Sequence, residues 1–284
     1  MLNLWDPQHL SLGIGLITAL LLGIIHGITP DEHTWPITFS YAIGSYSSKG
    51  GMKAGFFFSL AFTLQRAIAS ELGYLALANF LLVPSQENIV YIVVGVVMFI
   101  SGYYILYRRK AFHLLPWVDK LLPHTESGQT VPVKLALVHG FIAGWGTGAF
   151  ATMIYTVIAP AMPSPWLGFL PGVLFGLGTM IMQVLIGAFF GHWIARHNLG
   201  EQAKAFIGRS VAGNTLFYGG VLFAIVGALG IMVPSLTEWS INTGIRVHNL
   251  DTINIGLVLV LLTVGGAGGA SLVRALRKVR SQSV

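Results

Sequence analysis

Apolar stretches of about 20 residues recur along almost the whole chain, and each is long enough to cross a bilayer as a helix. Composition agrees with that reading. Of 284 residues, 54% are hydrophobic and 9% charged, against roughly 25% charged in soluble domains. The 35 glycines suit close helix contacts in lipid. The expectation is an all-α fold: a polytopic transmembrane helical bundle forming a single integral membrane domain over 1–284.

The spans read as 9–48, interrupted at Thr29-Pro30-Asp31-Glu32-His33, then 54–82, 88–107, 134–160, 165–194, 213–233 and 253–274. That is about seven, within a range of six to eight. Lys49, Lys53, Arg108, Arg109, Lys110, Lys120, Lys134, Arg196, Lys204 and Arg209 fall in alternate loops, and Arg274, Arg277, Lys278 and Arg280 end the chain. The intervening loops near Gln86-Glu87, Met162-Pro163 and Thr237-Glu238 lack Lys and Arg. Positive charge on one side predicts a cytoplasmic C-terminus in a cell (inner) membrane. The net charge of +6 is absorbed by this asymmetry and predicts no nucleic-acid partner. The N-terminus lies outside if 9–48 crosses once with a break, and inside if it crosses twice. The opening residues MLNLWDPQ lack a basic n-region, so no cleaved leader is expected. Cysteine is absent, which removes disulfides, thiolate ligands and thiol relays. Whether copies associate as a homo-oligomer is left open.

A weak internal repeat is present. His26-Gly27 recurs as His139-Gly140, and Gly55-Phe56-Phe57-Phe58-Ser59-Leu60-Ala61 is echoed by Gly172-Val173-Leu174-Phe175-Gly176-Leu177-Gly178, at separations of 113 and 117. The halves would be 9–107 and 134–233, with 253–274 an extra C-terminal span. Three spans per half is odd, so the second would be inverted, with a site at the interface between halves.

The break in the first stretch carries the most information. Thr29 as N-cap, Pro30 as N1 and Glu32 as N3 read as a capping box, with Gly27 ending the helix before it. His26, Asp31, Glu32 and His33 bring four candidate ligands within eight residues. In an unbroken helix His26 and His33 would stand about 10 Å apart along the axis. Unwinding at Thr29-Pro30 lets them meet. Imidazole with carboxylate, and no thiolate, suits Ni, Co, Fe or Zn. Ionisable groups at membrane depth are costly and usually functional, although Asp31 and Glu32 could merely complement a helix dipole.

In the next span Ser59, Thr63, Arg66 and Ser70 share a helical face, with Gln65 and Glu71 beside it. An intramembrane Arg66 needs a partner, and Asp31, Glu32 or Glu71 could supply it. Gly176, Thr179, Gln183 and Gly187 form a matching stripe in which Gln183 aligns with Arg66. Either stripe could line a path or make a dry helix contact. His139 is a second-half candidate ligand through its pairing with Gly140. Met153, Met180 and Met182 read as packing residues. His113, His124, His192, His197 and His248 receive no role.

These motifs resemble the nickel/cobalt transporter superfamily. His26-Gly27-Ile28-Thr29-Pro30-Asp31-Glu32-His33, followed by Ser40-Tyr41-Ala42-Ile43-Gly44-Ser45, is similar to its first signature. Phe56-Phe57-Phe58-Ser59-Leu60-Ala61-Phe62-Thr63 is similar to the second, and Leu170-Pro171-Gly172-Val173-Leu174-Phe175-Gly176-Leu177-Gly178 to a later one. The likeness covers roughly 10–190. His33 stands one place later than the family's second His, Phe62 stands where the second signature ends in His, and Gln183 lies near the later signature's Asp. The resemblance implies transport of a divalent transition metal, Ni or Co above others, handled by His26, Asp31 and His33. No permanent cofactor is implied.

Three functions therefore compete. A secondary metal transporter is the first. A membrane enzyme or electron carrier is disfavoured, because no Cys pair, facing histidine pair or nucleophile–base pair stands out. A carrier for an anion or small organic solute, with Arg66 as charge partner, is the third. No ATP-binding motif is present, so energy would come from a gradient or a partner.

Overall fold

A computed structural model describes residues 11–83, 85–108, 135–197, 199–247 and 249–282. Arg109, Lys110, Lys120, Lys134, His113, His124, His248 and the opening MLNLWDPQ lie outside the described residues. The first apolar stretch forms two helices, α1 (Leu12–Ile28) and α2 (Trp35–Ser45). The next stretch is α3 (Ser48–Tyr74), followed by α4 (Gln86–Tyr103), which runs on as a π-helical turn, Tyr104–Arg108. The segment expected as one span over 134–160 is divided into α5 (Leu135–Ala143) and α6 (Ala149–Met153), the latter extended by a π-helical turn, Ile154–Ile158. Then come α7 (Leu170–Ala195) and α8 (Glu201–Met232). A two-stranded antiparallel hairpin, β1 (Ser240–Asn242) with β2 (Thr252–Asn254), precedes α9 (Ile255–Val260). A π-helical stretch, Leu261–Gly269, leads into α10 (Ala270–Gln282).

Among the described residues, four helical segments are long and apolar enough to cross a membrane: Gln86–Tyr107, Pro165–Ala195, Glu201–Met232 and Ile255–Ser281. The exterior is apolar as well. Leu64, Leu185 and Phe189 are exposed, while Asp31, His33, Arg66 and Gln183 are buried. Apolar side chains outside and charged ones inside are compatible with an integral membrane protein.

Glycines set how close the helices come. A Cβ at Gly51 would lie 1.9 Å from the Gly187 carbonyl oxygen, and one at Gly55 would lie 2.2 Å from that of Gln183. At Gly172 the distance to the Arg66 carbonyl oxygen would be 2.0 Å. Rising positions on α3 therefore meet falling positions on α7, and the two are antiparallel with backbones nearly touching. α1 lies on α7 the other way round: Gly23 meets Phe175 and Gly27 meets Thr179. α2 continues in that direction, with Thr38 bonded to Gln183 and Phe39 against Phe190. The first stretch is thus one broken path through the bundle, not a hairpin. α5 follows α3 upward, Gly140 on Phe58, and Gly73 meets Tyr155 just beyond α6. The α5–α6 segment is therefore a second broken path, interrupted at 144–148.

The first break does not use the expected capping box. Gly27 stays inside α1, and Thr29 closes that helix: its N–H and its hydroxyl both donate to the Ile25 carbonyl, at 3.1 and 2.9 Å. α2 starts six residues later, at Trp35, with Thr34 at the N-cap and Pro36 in its first turn. The Asp31 side chain instead accepts the His33 N–H at 3.0 Å, an Asx turn that competes with helix. The Thr29 hydroxyl is turned back onto α1, away from the N–H groups that a forward cap would have to meet.

Candidate functional site

The two breaks converge on one cavity of about 320 Å³. The first break contributes Pro30, Asp31, Glu32 and His33, with His26 from the end of α1. The second contributes Gly146, Thr147 and Gly148. Arg66 of α3 and Glu87 and Tyr91 of α4 enter from the sides, and Asn249, Asp251, Thr252 and Asn254 come from the hairpin segment.

Asp31, Glu32 and His33 each offer a ligand atom, all within 4.8 Å of one another. His33 Nδ1 lies 3.6 Å from Glu32 Oε1 and 3.9 Å from Asp31 Oδ1. Its other nitrogen, Nε2, lies 2.8 Å from Glu87 Oε1. Glu87 is held in turn by the second break, whose Thr147 N–H donates to Oε2 at 2.8 Å. Tyr91 donates its hydroxyl to Glu32 Oε1 at 3.0 Å, and its ring stacks on that of His33. A Cβ at Gly256 would lie 2.6 Å from the Glu32 carboxyl, so only glycine leaves that side chain its place. His26 Nδ1 stands 3.7 Å from Asp31 Oδ2, with its ring on Phe62 and Phe175. One histidine nitrogen faces two carboxylates while the other meets a third carboxylate. A carboxylate behind the far ring nitrogen also occurs at metal-binding imidazoles, so Asp31, Glu32 and His33 could hold a metal ion.

Arg66 also faces the interior, 3% exposed, but with different partners from those expected. Its Nη1 donates to the Gly146 carbonyl at 2.9 Å and to the Tyr155 hydroxyl. Its guanidinium carbon lies 4.6 Å from the Phe62 ring centre. Among the described residues no carboxylate forms an ion pair with it. Asp31 and Glu32 engage the histidines and Tyr91, and Glu71 lies beside Gly168 and Tyr74. A carbonyl released by the second break takes the place of a carboxylate.

The remaining expected residues stand outside the cavity. Gln183 donates from Nε2 to the Gly27 carbonyl at 3.0 Å and accepts the Thr38 hydroxyl at 2.6 Å, so it ties α1 to α2 across the first break. Thr179 donates to the Gly23 and Phe175 carbonyls, and Thr63 to that of Ser59. Gln65 is buried beside Gly144. His139 lies buried between the Leu135 carbonyl, 2.9 Å away, and the Tyr41 hydroxyl, 3.3 Å away. Sequence reasoning missed Glu87 and Tyr91, which read as a loop residue and a span residue. It also missed the second break, although Gly144-Trp145-Gly146-Thr147-Gly148 carries three glycines in five positions, the composition of an interruption.

Comparison with protein-family models, with curated proteins and with solved structures gives no match.

Proposed function

We propose that this chain is a secondary transporter for a divalent transition-metal cation, nickel- or cobalt-like, and not an enzyme. The observation that carries the reading is the convergence of Asp31, Glu32 and His33 at a broken helix, with the far nitrogen of His33 backed by Glu87. Borderline divalent ions favour such an imidazole–carboxylate set. The resemblance to the nickel/cobalt transporter superfamily points the same way. The ligands are Asp31, Glu32 and His33 Nδ1, with His26 beside Asp31 as the next contact. His139, a candidate ligand in the sequence reading, lies outside this cavity between the Leu135 carbonyl and the Tyr41 hydroxyl and is not assigned to the metal.

The same reading includes seven crossings and two inverted halves. Its support is a reciprocal exchange of contacts. Gly23 meets Phe175 as Gly140 meets Phe58, and Gly55 meets Gln183 as Gly172 meets Arg66. Every partner is displaced by 117 positions. Arg66 and Gln183 also do the same job, each donating to a carbonyl freed by the break in the opposite half. Positive-inside charge puts the C-terminus in the cytoplasm of an inner membrane, and a single broken first crossing puts the N-terminus outside.

The test is metal-dependent thermal stabilisation of purified protein across Mn, Fe, Co, Ni, Cu and Zn, together with flux into proteoliposomes. His33→Gln should abolish the stabilisation by the preferred ion and its flux. Unchanged stabilisation and flux in both His26→Gln and His33→Gln would rule out the site. A second reading, transport of an anion or small organic solute, is favoured by Arg66: its Nε is buried with no hydrogen-bond partner among the described residues. That reading predicts flux sensitive to Arg66→Lys and indifferent to His33→Gln.

A further inference from the structure

A second cavity, of about 310 Å³, lies between α8 and α10 at the basic end of the molecule. Phe206, Asn214, Tyr218, Ala267, Arg274 and Lys278 form its principal walls. The two helices are fastened along it. Asn214 Nδ2 donates to Ser271 Oγ at 2.8 Å, and Ser271 Oγ donates to the Ser210 carbonyl at 3.0 Å. Arg274 and Lys278 are one helical turn apart on the same face. Both are exposed, and neither forms an ion pair among the described residues. Lys278 Nζ sits 5.2 Å from the centre of the Phe206 ring, which fixes it at the rim.

The cavity changes character with depth. From the two cations at the rim it passes to Tyr218 and Ala267. Phe206 to Tyr218 covers roughly 18 Å of helix, comparable with one leaflet of a ~30 Å hydrocarbon core. Tyr218 of the lining and Val273 beside Arg274 are exposed, so the groove has an apolar flank open to the outside of the bundle. A free anion would meet the cations but not use the apolar length. A zwitterionic lipid would use the length, but its own cationic group would offset what its phosphate gains from Arg274 and Lys278. Basic pockets between transmembrane helices are the places where anionic head groups are held.

We infer that this groove binds an anionic phospholipid, with the head-group phosphate between Arg274 and Lys278 and an acyl chain along Tyr218 and Ala267. The inference depends on membrane insertion and is independent of the metal site.

The test titrates the purified full chain, in non-ionic detergent, with phosphatidylglycerol or with phosphatidylcholine of the same acyl chains. Thermal stability and lipid adducts in native mass spectrometry are read. Phosphatidylglycerol should bind and stabilise the protein in preference to phosphatidylcholine. Each basic residue near an anionic surface contributes roughly five-fold in affinity, equivalent to about 1 kcal/mol. Arg274→Gln with Lys278→Gln should erase the preference, and Arg274→Lys with Lys278→Arg should keep it. Arg277→Gln with Arg280→Gln removes the same charge from the same helix outside the cavity and should also keep it. Three results would overturn the proposal: no preference in the native chain, equal loss in both neutralised pairs, or equal stabilisation by inorganic phosphate. The first needs no variant to fold.

Discussion

Glu87 shows how one side chain can organise a site to which it was not assigned. It touches His33 from the face opposite Asp31 and Glu32, and Thr147 holds it in place. Replacement by Gln keeps an oxygen for the Thr147 N–H but removes the charge that orients the imidazole. Glu87→Gln should therefore insert and fold, and should weaken the binding of the preferred metal about 10- to 100-fold, as outer partners of metal ligands do. Calorimetric titration of the purified variant measures this, and native affinity would sink the assignment of Glu87. Acidity should act on the same groups. Protons and metal compete for the imidazole lone pairs, so metal-induced stabilisation should fade as pH drops. A pH-independent metal response between pH 5 and 8 would exclude histidine ligation.

At the scale of elements, the breaks are stabilised by side chains from facing helices. Gln183 satisfies the Gly27 carbonyl, which has lost its helical donor, and anchors Thr38 on the far side. Gln183→Leu leaves that carbonyl unpaired in an apolar interior, at a cost of about 1–3 kcal/mol, visible as a lowered melting temperature. Arg66→Gln should be better tolerated than Arg66→Leu, because Gln performs the corresponding task at position 183. Equal stability of the two Arg66 variants would contradict the shared role. Gly51→Val should be worse than either, since its Cβ would meet the Gly187 backbone at 1.9 Å. Overpacking typically costs 1–3 kcal/mol, and here no flexible side chain can yield. The first break was legible because Pro30 and three ionisable residues interrupt an apolar run. Its register was not, because local capping rules cannot show that Thr29 turns back onto Ile25. The second break lacks charge and proline, and its glycines looked like packing positions. Arg66 was legible as interior. Its partner was not, since that partner is a backbone carbonyl 80 positions away.

For the whole molecule, the directions of the helices make a prediction about sides. Gly200 precedes α8, and Ser164 lies just before the start of α7, at opposite ends of the long helix pair. The chain has no cysteine, so single substitutions can be labelled without background. Gly200→Cys should react with an impermeant maleimide only from the cytoplasmic side, and Ser164→Cys only from outside. Labelling of both from one face would overturn the orientation. The site itself needed three-dimensional closure to be seen: residues 26–33, 66, 87 with 91, 146–151, 175 and 249–257 meet only when six separate segments fold together.

The two broken paths meet the cavity with unequal charge. The first presents Asp31 and Glu32; at the second, the Arg66 guanidinium on Gly146 is offset by the Glu87 carboxylate on Thr147. The excess of negative charge therefore sits at the 29–34 turn. Under the proposed transport, a cation would rest nearer that turn than the 144–148 turn, and letting it go would require displacing the first turn.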